Sequence, residues 1–191
     1  MEWTKRTGNK EIFLTFDDGP VPDQTEFVLD TLKQFNAKAT FFCIGDNIRK
    51  NPGQFQKIVD SGHAVGNHTF NHLNGWRTSD EQYLENIHMC EEQLRSHGVT
   101  NNKLFRPPFG RISRSQIRKA THYRIVMWDV LTFDYDRSLD AEVCLNGSIK
   151  AARPGSIVVF HDSAKADKNM KFVLPKFIEH FAKEGYTFNS L

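Results

Sequence analysis

Apolar residues along this chain follow two repeating patterns, and together they predict a regular series of strands and helices. Short apolar runs predict strands at 11–16, 38–44, 63–66, 103–105, 123–128, 156–160 and 186–188. Between these runs, apolar residues recur every three to four positions and predict helices at 23–35, 52–62, 78–97, 113–121, 139–152 and 174–184. This order is typical of parallel strands with helices packed outside the sheet.

The ends of the predicted elements are marked by turn and capping residues. Gly45 follows the second strand and is expected to end it, and Pro52 opens the next helix. Thr78, with Glu81 three residues later, predicts a capping box at the start of the long helix. The stretches 129–136 and 163–169 are expected to be loops.

The length of the chain favours one domain with a substantial core. Residues 1–10 form a polar lead-in, and 11–191 contain all of the predicted units of the 191-residue sequence. Seven short strands that alternate with helices predict an α/β fold in which about seven parallel strands close into a (β/α) barrel. An open, doubly wound sheet is the alternative.

Composition and charge exclude several classes of protein. Hydrophobic residues make up 39% of the chain, charged residues 25%, and the formal net charge is +2. Lysine and arginine are scattered, so no nucleic-acid partner is expected. The three cysteines, Cys43, Cys90 and Cys144, form no C-x-x-C pair, which argues against a disulfide framework or a thiolate zinc site. Cys43 lies in an apolar run and Cys90 on an apolar helix stripe, which favours core packing for these two.

Targeting signals are likewise missing from the sequence. Nothing resembles a signal peptide, and no apolar stretch is long enough to cross a bilayer. We expect a cytoplasmic monomer without a membrane span. A protein from which an export signal had been removed would give the same sequence, so an exported or periplasmic location stays open.

Chemically active side chains follow the predicted strands at the points where the strands end. The carboxyl ends of parallel strands share one face of such a fold, and binding sites form there. We therefore expect one rim to hold Asp17, Asp18, His68, His72, Arg106, Asp134 and His161. The alternative at each position, taken alone, is an ordinary surface or core residue.

The spacing of two histidines suggests a metal site. His68 and His72 are four residues apart, which brings both rings to one face of a helical turn. With one aspartate they would form a two-histidine, one-carboxylate set that leaves positions open for water and substrate. Zinc, cobalt, nickel and manganese all suit these ligands, and zinc is our first choice. Of the other histidines, His63 is the one competitor as a ligand.

Two further rim residues have features that suit catalysis. Arg106 precedes two prolines, and a rigid turn there would hold its guanidinium against a carboxylate. His161 follows an apolar strand and precedes Asp162, which places it at the mouth of the fold rather than in the core.

At these residues the sequence resembles the polysaccharide deacetylases, carbohydrate esterase family 4, with a domain of the nodulation-factor deacetylase type. Residues 15–20 match the TFDDGP motif in full, 68–72 match H-[ST]-x-x-H, and 106–110 match the RPPFG motif. Residues 156–162 are similar to the last motif, with Val159 where leucine is usual. The motifs occur in family order over nearly the whole chain.

The resemblance implies a distorted (β/α) barrel that binds one divalent metal ion and an acetylated oligo- or polysaccharide. It assigns Asp18, His68 and His72 as the metal ligands. Residues expected around the substrate are Pro107, Phe109, Trp128 and Tyr135.

The resemblance also implies catalytic roles. Asp17 matches the general base and Arg106 the residue that orients it. His161 matches the general acid, and Asp134 the carboxylate that holds this histidine. The expected reaction is hydrolysis of an N-acetyl group, with O-acetyl groups as a further substrate class.

One motif departs from the family pattern. Where Asp-x-x-Asp-Trp is common, this chain has Leu131 for the first aspartate and Tyr135 for the tryptophan, and Asp129 lies two residues too early to replace the missing acid. Substrate preference is therefore open. The alternatives are a metal-dependent hydrolase of small cyclic amides or imides, and an inactive relative that binds glycans.

Overall fold

The computed structural model describes residues 1–101 and 103–191. The strands in this part of the chain are β1 Glu11–Asp17, β2 Ala39–Cys43, β3 Ala64–Asn67, β4 Leu104–Phe105, β5 Arg124–Ile125, β6 Val130–Leu131, β7 Ile157–His161 and β8 Thr187–Phe188. The α-helices are α1 Pro22–Gln34, α2 Gly45–Lys50, α3 Pro52–Asp60, α4 Asp80–Ser96, α5 Arg114–Lys119, α6 Ala141–Ala151 and α7 Asp167–Lys183. Across residues 1–101 and 103–191, no helix is both long and apolar enough to span a bilayer.

The sheet has the strand order of an incomplete barrel. Its parallel neighbours run β5-β4-β3-β2-β1-β7-β6, and β8 pairs with the start of β1. Read as a circle, this is sequence order with one break between β5 and β6. A doubly wound sheet would instead reverse its order at an internal crossover. The predicted distorted (β/α) barrel is confirmed.

The first residues of the chain lie close to the break in the barrel. Glu2 pairs with Val126, just after β5, and Thr4 pairs with Ser156, just before β7. The polar lead-in thus adds two bridges where the sheet has no continuous strand pairing.

The central strands are buried on both faces, as their continuous apolar composition predicts. The Phe16 ring of β1 stacks on Phe41 of β2 and Phe160 of β7, with ring centroids 5.0 Å and 5.8 Å apart. Cys43 and Cys90 are buried free thiols within the same core, which confirms their predicted packing role.

The prediction of one strand over 123–128 and a loop over 129–136 is wrong, because the chain forms two short strands there. After β5, the carbonyl oxygens of Val126 and Met127 accept hydrogen bonds from the Arg106 side chain rather than from a neighbouring strand. The Met127 N–H donates to the Glu2 carbonyl. The next strand in this segment is β6, which pairs with β7.

Three helix starts also differ from the prediction. Gly45 begins α2 rather than ending a strand, and glycine leaves room for the Phe70 ring, which would lie 2.7 Å from a Cβ at this position. Helix α7 begins at Asp167, within the predicted 163–169 loop, and Pro175 lies inside it. The cap of α4 is Ser79, because the Thr78 hydroxyl donates instead to the Asn74 carbonyl.

Candidate active site

A cavity of about 480 Å³ opens at the carboxyl ends of the strands. The register explains the convergence, because Asp17 at the end of β1 lies opposite His161 at the end of β7. The sequence-predicted residues that line this cavity are Asp17, Asp18, His68, His72, Phe109, Trp128, Tyr135 and His161. Arg106 and Asp134 lie buried behind it.

Asp17 and Arg106 form a buried ion pair beneath the cavity. Arg106 Nη1 donates to Asp17 Oδ1 and to Thr15 Oγ1, both at 2.7 Å, and the guanidinium lies 4.2 Å above the Phe42 ring. Burial raises the pKa of Asp17, but the Arg106 charge, the smaller contributions of His68 and His161 and the hydrogen bond from Arg106 together outweigh burial and hold this pKa below its usual range. Asp17 is therefore ionised, with Oδ1 engaged and Oδ2 facing His68 Nε2 at 3.9 Å.

Asp18, His68 and His72 form the cluster expected of metal ligands, with one ligand atom from each lying within 4.8 Å of the others. Asp18 Oδ1 is 3.8 Å from His68 Nε2 and 3.3 Å from His72 Nε2. His68 Nδ1 is 2.7 Å from the Arg106 carbonyl, which only accepts, so Nδ1 donates to this carbonyl and Nε2 is the nitrogen that faces the cluster. Burial and the neighbouring His68 lower the pKa of His72 to about 4, which keeps its imidazole neutral. The donor set fits a divalent cation.

His161 and Asp134 form a second charged pair at the cavity wall. Asp134 Oδ1 is 2.8 Å from His161 Nδ1, and Asp134 Oδ2 accepts the His161 backbone N–H at 2.7 Å. Burial lowers the pKa of His161, but Asp134, with smaller contributions from the two acids of the β1 turn, outweighs burial and raises this pKa to about 9. The ring is thus cationic at neutral pH, and Nε2 is the nitrogen left to donate a proton.

Aromatic side chains wall the cavity. The Tyr135 ring stands edge-on to His161 with centroids 4.9 Å apart, and the Phe109 ring lies 4.5 Å from His72. Leu131 contributes an apolar wall at the position where the family commonly has an acid. Pro107 is buried and does not line the cavity; it shapes the turn that presents Phe109.

Two cationic residues at the cavity were missed by the sequence analysis. Arg111 follows the 106–110 motif directly, and Lys165 lies in the segment predicted as a polar loop. The Lys165 ammonium lies 4.8 Å above the Tyr135 ring. The position of Arg111 next to a motif was the one available signal.

The other polar residues weighed from the sequence lie elsewhere. Asp129 accepts hydrogen bonds from Ser156 Oγ at 3.0 Å and from the Ile157 N–H at 2.9 Å, so it joins the β6 segment to β7. The histidines outside the cavity are His63, His88, His97, His122 and His180.

A larger depression of about 810 Å³ lies at the opposite end of the sheet, around the amino ends of β3, β4 and β5. None of its described lining residues is acidic, so these residues offer no side-chain carboxylate to a metal or to acid–base chemistry. The smaller cavity is the better candidate for an active site because the charged pairs and the ligand cluster converge there.

The backbone around the cavity is conformationally costly. A positive φ is uncommon for residues other than glycine and marks strain in bulky ones. Most of the described non-glycine residues with a positive φ lie on loops that follow the carboxyl ends of strands. The residues on these loops are Asp18 (φ 84°), Thr69 (62°), His72 (57°), Phe109 (59°) and Phe133 (57°).

Comparisons with known proteins place the chain in a family. A family model described as polysaccharide deacetylase matches residues 4–128. A peptidoglycan-N-acetylglucosamine deacetylase from Bacillus cereus is 36% identical over 191 residues, covering 98% of this chain and 89% of the relative. A peptidoglycan-N-acetylmuramic acid deacetylase from Bacillus subtilis is 32% identical over 190 residues, covering 97% of this chain and 71% of the relative.

A solved structure agrees over the whole fold. The crystal structure of a peptidoglycan N-acetylglucosamine deacetylase, in complex with a naphthalenyl N-hydroxybenzamide, has a TM-score of 0.94 and 33% identity. The match covers 100% of this chain and 90% of that chain. The chain therefore belongs to the polysaccharide deacetylase family, a family of hydrolases.

Proposed function

We propose that this protein is a metal-dependent deacetylase that hydrolyses N-acetyl groups on the amino sugars of peptidoglycan. The observation that carries the proposal is the placement of two charged pairs beside the Asp18, His68 and His72 cluster in one cavity. The two curated relatives are named for different amino sugars of peptidoglycan, which supports a glycan substrate. Because peptidoglycan lies outside the cytoplasmic membrane, this substrate goes with the exported location.

The cluster of Asp18, His68 and His72 would hold one divalent ion, with zinc as our choice among the metals that these ligands suit. When bound, it would supply a Lewis acid that polarises the acetamide carbonyl and acidifies a water molecule. The three side chains are the metal ligands in this proposal.

Asp17 serves as the general base. Its Oδ1 is occupied by Arg106, which leaves Oδ2 at the cavity to take a proton from the attacking water. The Arg106 charge favours the ionised carboxylate, so a proton acceptor is present at neutral pH. Arg106 acts by orienting this carboxylate.

His161 serves as the general acid. As the C–N bond breaks, its Nε2 proton goes to the departing amine, and the products are acetate and a free amino sugar. Asp134 holds Nδ1 and keeps the ring protonated. Trp128, Leu131 and Tyr135 offer an apolar surface to the acetyl methyl group.

Acetate release tests the substrate. The protein would be incubated with peptidoglycan fragments, chitooligosaccharides and acetylated xylan, with and without a chelator. Ring opening of small cyclic amides, which releases no acetate, would be followed separately by chromatography. We expect acetate from the N-acetylated glycans, loss of activity with the chelator, and recovery on adding zinc. Hydrolysis of cyclic amides alone would favour the small-amide alternative, and glycan binding without acetate release would favour the inactive one.

Two variants test the assigned roles. Asp17→Asn should retain metal binding but lose about two to four orders of magnitude in rate, the usual range for a positioned acid or base. His161→Ala should slow amide cleavage far more than cleavage of an activated aryl acetate, whose leaving group needs no proton. Equal losses on the two substrates would argue against His161 as the acid.

A further inference from the structure

The turn that carries Asp17 and Asp18 rests on a buried carboxyl group that the proposed chemistry does not use. Asp162 is fully buried; its Oδ1 accepts the Gly19 N–H at 3.0 Å and its Oδ2 accepts the Thr25 hydroxyl at 2.6 Å. Thr25 Oγ1 also accepts the Val21 N–H at 2.8 Å, so its hydrogen is free to point at Asp162. Both carboxyl oxygens of Asp162 are thus used to fasten the segment that follows β1.

The contact between the turn and Asp162 is very close. A Cβ placed on Gly19 would lie 1.9 Å from Asp162 Oδ2, so the carboxyl group fills the space that a side chain would need. Glycine at this position allows the backbone to approach the carboxyl group.

The peptide unit that joins Asp18 to Gly19 is held at both of its polar atoms. The Gly19 N–H donates to Asp162, and the Asp18 carbonyl accepts from Asn47 Nδ2 at 2.7 Å. Asp18 itself has a φ of 84°, a conformation that costs an aspartate free energy and persists only where the surroundings enforce it. The two side chains fix the plane on which the direction of the Asp18 carboxylate depends.

We propose that Asp162 and Asn47 are positioning residues that lock this peptide plane, so that Asp18 faces His68 and His72 before a metal ion arrives. The inference rests on the proposed metal site. Groups that orient metal ligands typically contribute about 10–100-fold to metal affinity. The prediction concerns metal affinity first, because Asp17 is oriented separately by Arg106.

Calorimetric titration of the metal-free protein with zinc tests the proposal. Asp162→Ala and Asn47→Ala should each raise the zinc Kd about 10–100-fold. Asp162→Asn should stay within about threefold of wild type, because its amide still offers an oxygen to the Gly19 N–H and a donor to Thr25 Oγ1. The matched control is Asn51→Ala: Asn51 Nδ2 donates at 3.1 Å to the Pro20 carbonyl in the same turn and at 3.2 Å to the Asn47 backbone carbonyl, whereas the Asp18 carbonyl is held by the Asn47 side chain.

Two further measurements separate positioning from general damage. Circular dichroism melts should show each variant folded without metal, and Thr25→Val replaces Asp162→Ala if the latter is unfolded. At saturating zinc, kcat of Asn47→Ala should recover to within a few-fold of wild type, since the substitution weakens zinc binding rather than the catalytic step.

The outcomes distinguish this inference from the proposed function. If wild type binds zinc and the Asp162 and Asn47 variants bind it equally well, the positioning role is wrong and the metal site stands. If Asn51→Ala weakens binding as much as Asn47→Ala, the effect is general to the turn and the positioning role is wrong. If wild type binds no zinc, both the metal site and this inference fall.

Discussion

Replacing Arg106 by methionine should reverse the pH dependence that Asp17 gives to stability. Arg106 is fully buried, and its guanidinium bonds Asp17, Thr15 and two backbone carbonyls. Removing one partner of a buried ion pair costs about 3–5 kcal/mol, because the other charge stays buried without compensation. A domain has about 5–15 kcal/mol of total stability, so the variant should be folded but marginal.

The sign of the pH effect follows from the pKa of Asp17. In wild type this pKa lies below its unfolded value, so the stabilisation is present above the unfolded pKa and is lost only as pH falls through the folded pKa. In Arg106→Met, burial remains the largest influence on the Asp17 pKa and only the weaker opposing contributions of His68 and His161 are left, so we expect the folded pKa to lie above the unfolded value. Stability of the variant then falls as pH rises towards this new pKa, and its deficit relative to wild type grows with pH.

Urea unfolding of the metal-free proteins at about pH 5 and about pH 8 measures this deficit. The double variant Arg106→Met/Asp17→Asn should be more stable than Arg106→Met at the higher pH, although it carries an additional substitution, because no buried charge is left. Arg106→Lys, which keeps the charge with fewer donors, should fall between wild type and Arg106→Met. An Arg106→Met deficit that does not change with pH, or a double variant less stable than the single one, would refute the reasoning.

Four further results are expected. In Asp134→Asn, burial is no longer opposed by the Asp134 charge and should lower the pKa of His161 from about 9. The alkaline limb of the plot of kcat/KM against pH should therefore move to lower pH, and an unchanged limb would contradict the pairing of Asp134 with His161. In wild type the His161 contribution to stability is full below its unfolded pKa of about 6.5 and is lost as pH rises through about 9, and Asp134→Asn should abolish this decline in thermal melts. Gly19→Ala should cost about 1–3 kcal/mol in unfolding, because its Cβ would overlap Asp162, and a neutral result would show that the turn yields. Zinc at about 100 times its Kd should stabilise the protein by about 2.7 kcal/mol, with no such gain in His68→Ala.

The sequence was sufficient to predict which residues meet at the rim of the site, because the carboxyl ends of parallel strands lie on the same face of the fold. Asp17 and His161 are far apart in the chain, but each directly follows an apolar strand, and β1 and β7 are neighbours in register. The spacing of His68 and His72 predicted that their rings lie close together, but the helical turn assumed for this spacing is wrong: residues 68–72 form an irregular loop with a positive φ at Thr69 and His72. The ring centroids of His68 and His72 lie 5.2 Å apart.

The features that the sequence did not predict depend on contacts between distant segments. The carbonyls after β5 bond the Arg106 side chain, and nothing in the 123–128 pattern indicates that partner. Asp162 reads as the residue after a strand, and its part in the β1 turn follows only from its hydrogen bond to Gly19, 143 residues away. The local pattern of apolar residues predicted the helices and strands, whereas hydrogen bonds from side chains of distant segments determine where some of these elements end.

The positive φ angles around the cavity limit how far the thermostability of this protein can be raised without loss of activity. Glycine would relieve the backbone strain at Thr69 or Phe133, yet it would also loosen loops whose rigidity sets the distances between reacting groups. Directed evolution for heat resistance should therefore accept changes on the outer helices far more readily than at the mouth. Selection for activity and selection for thermostability will draw on different parts of this chain.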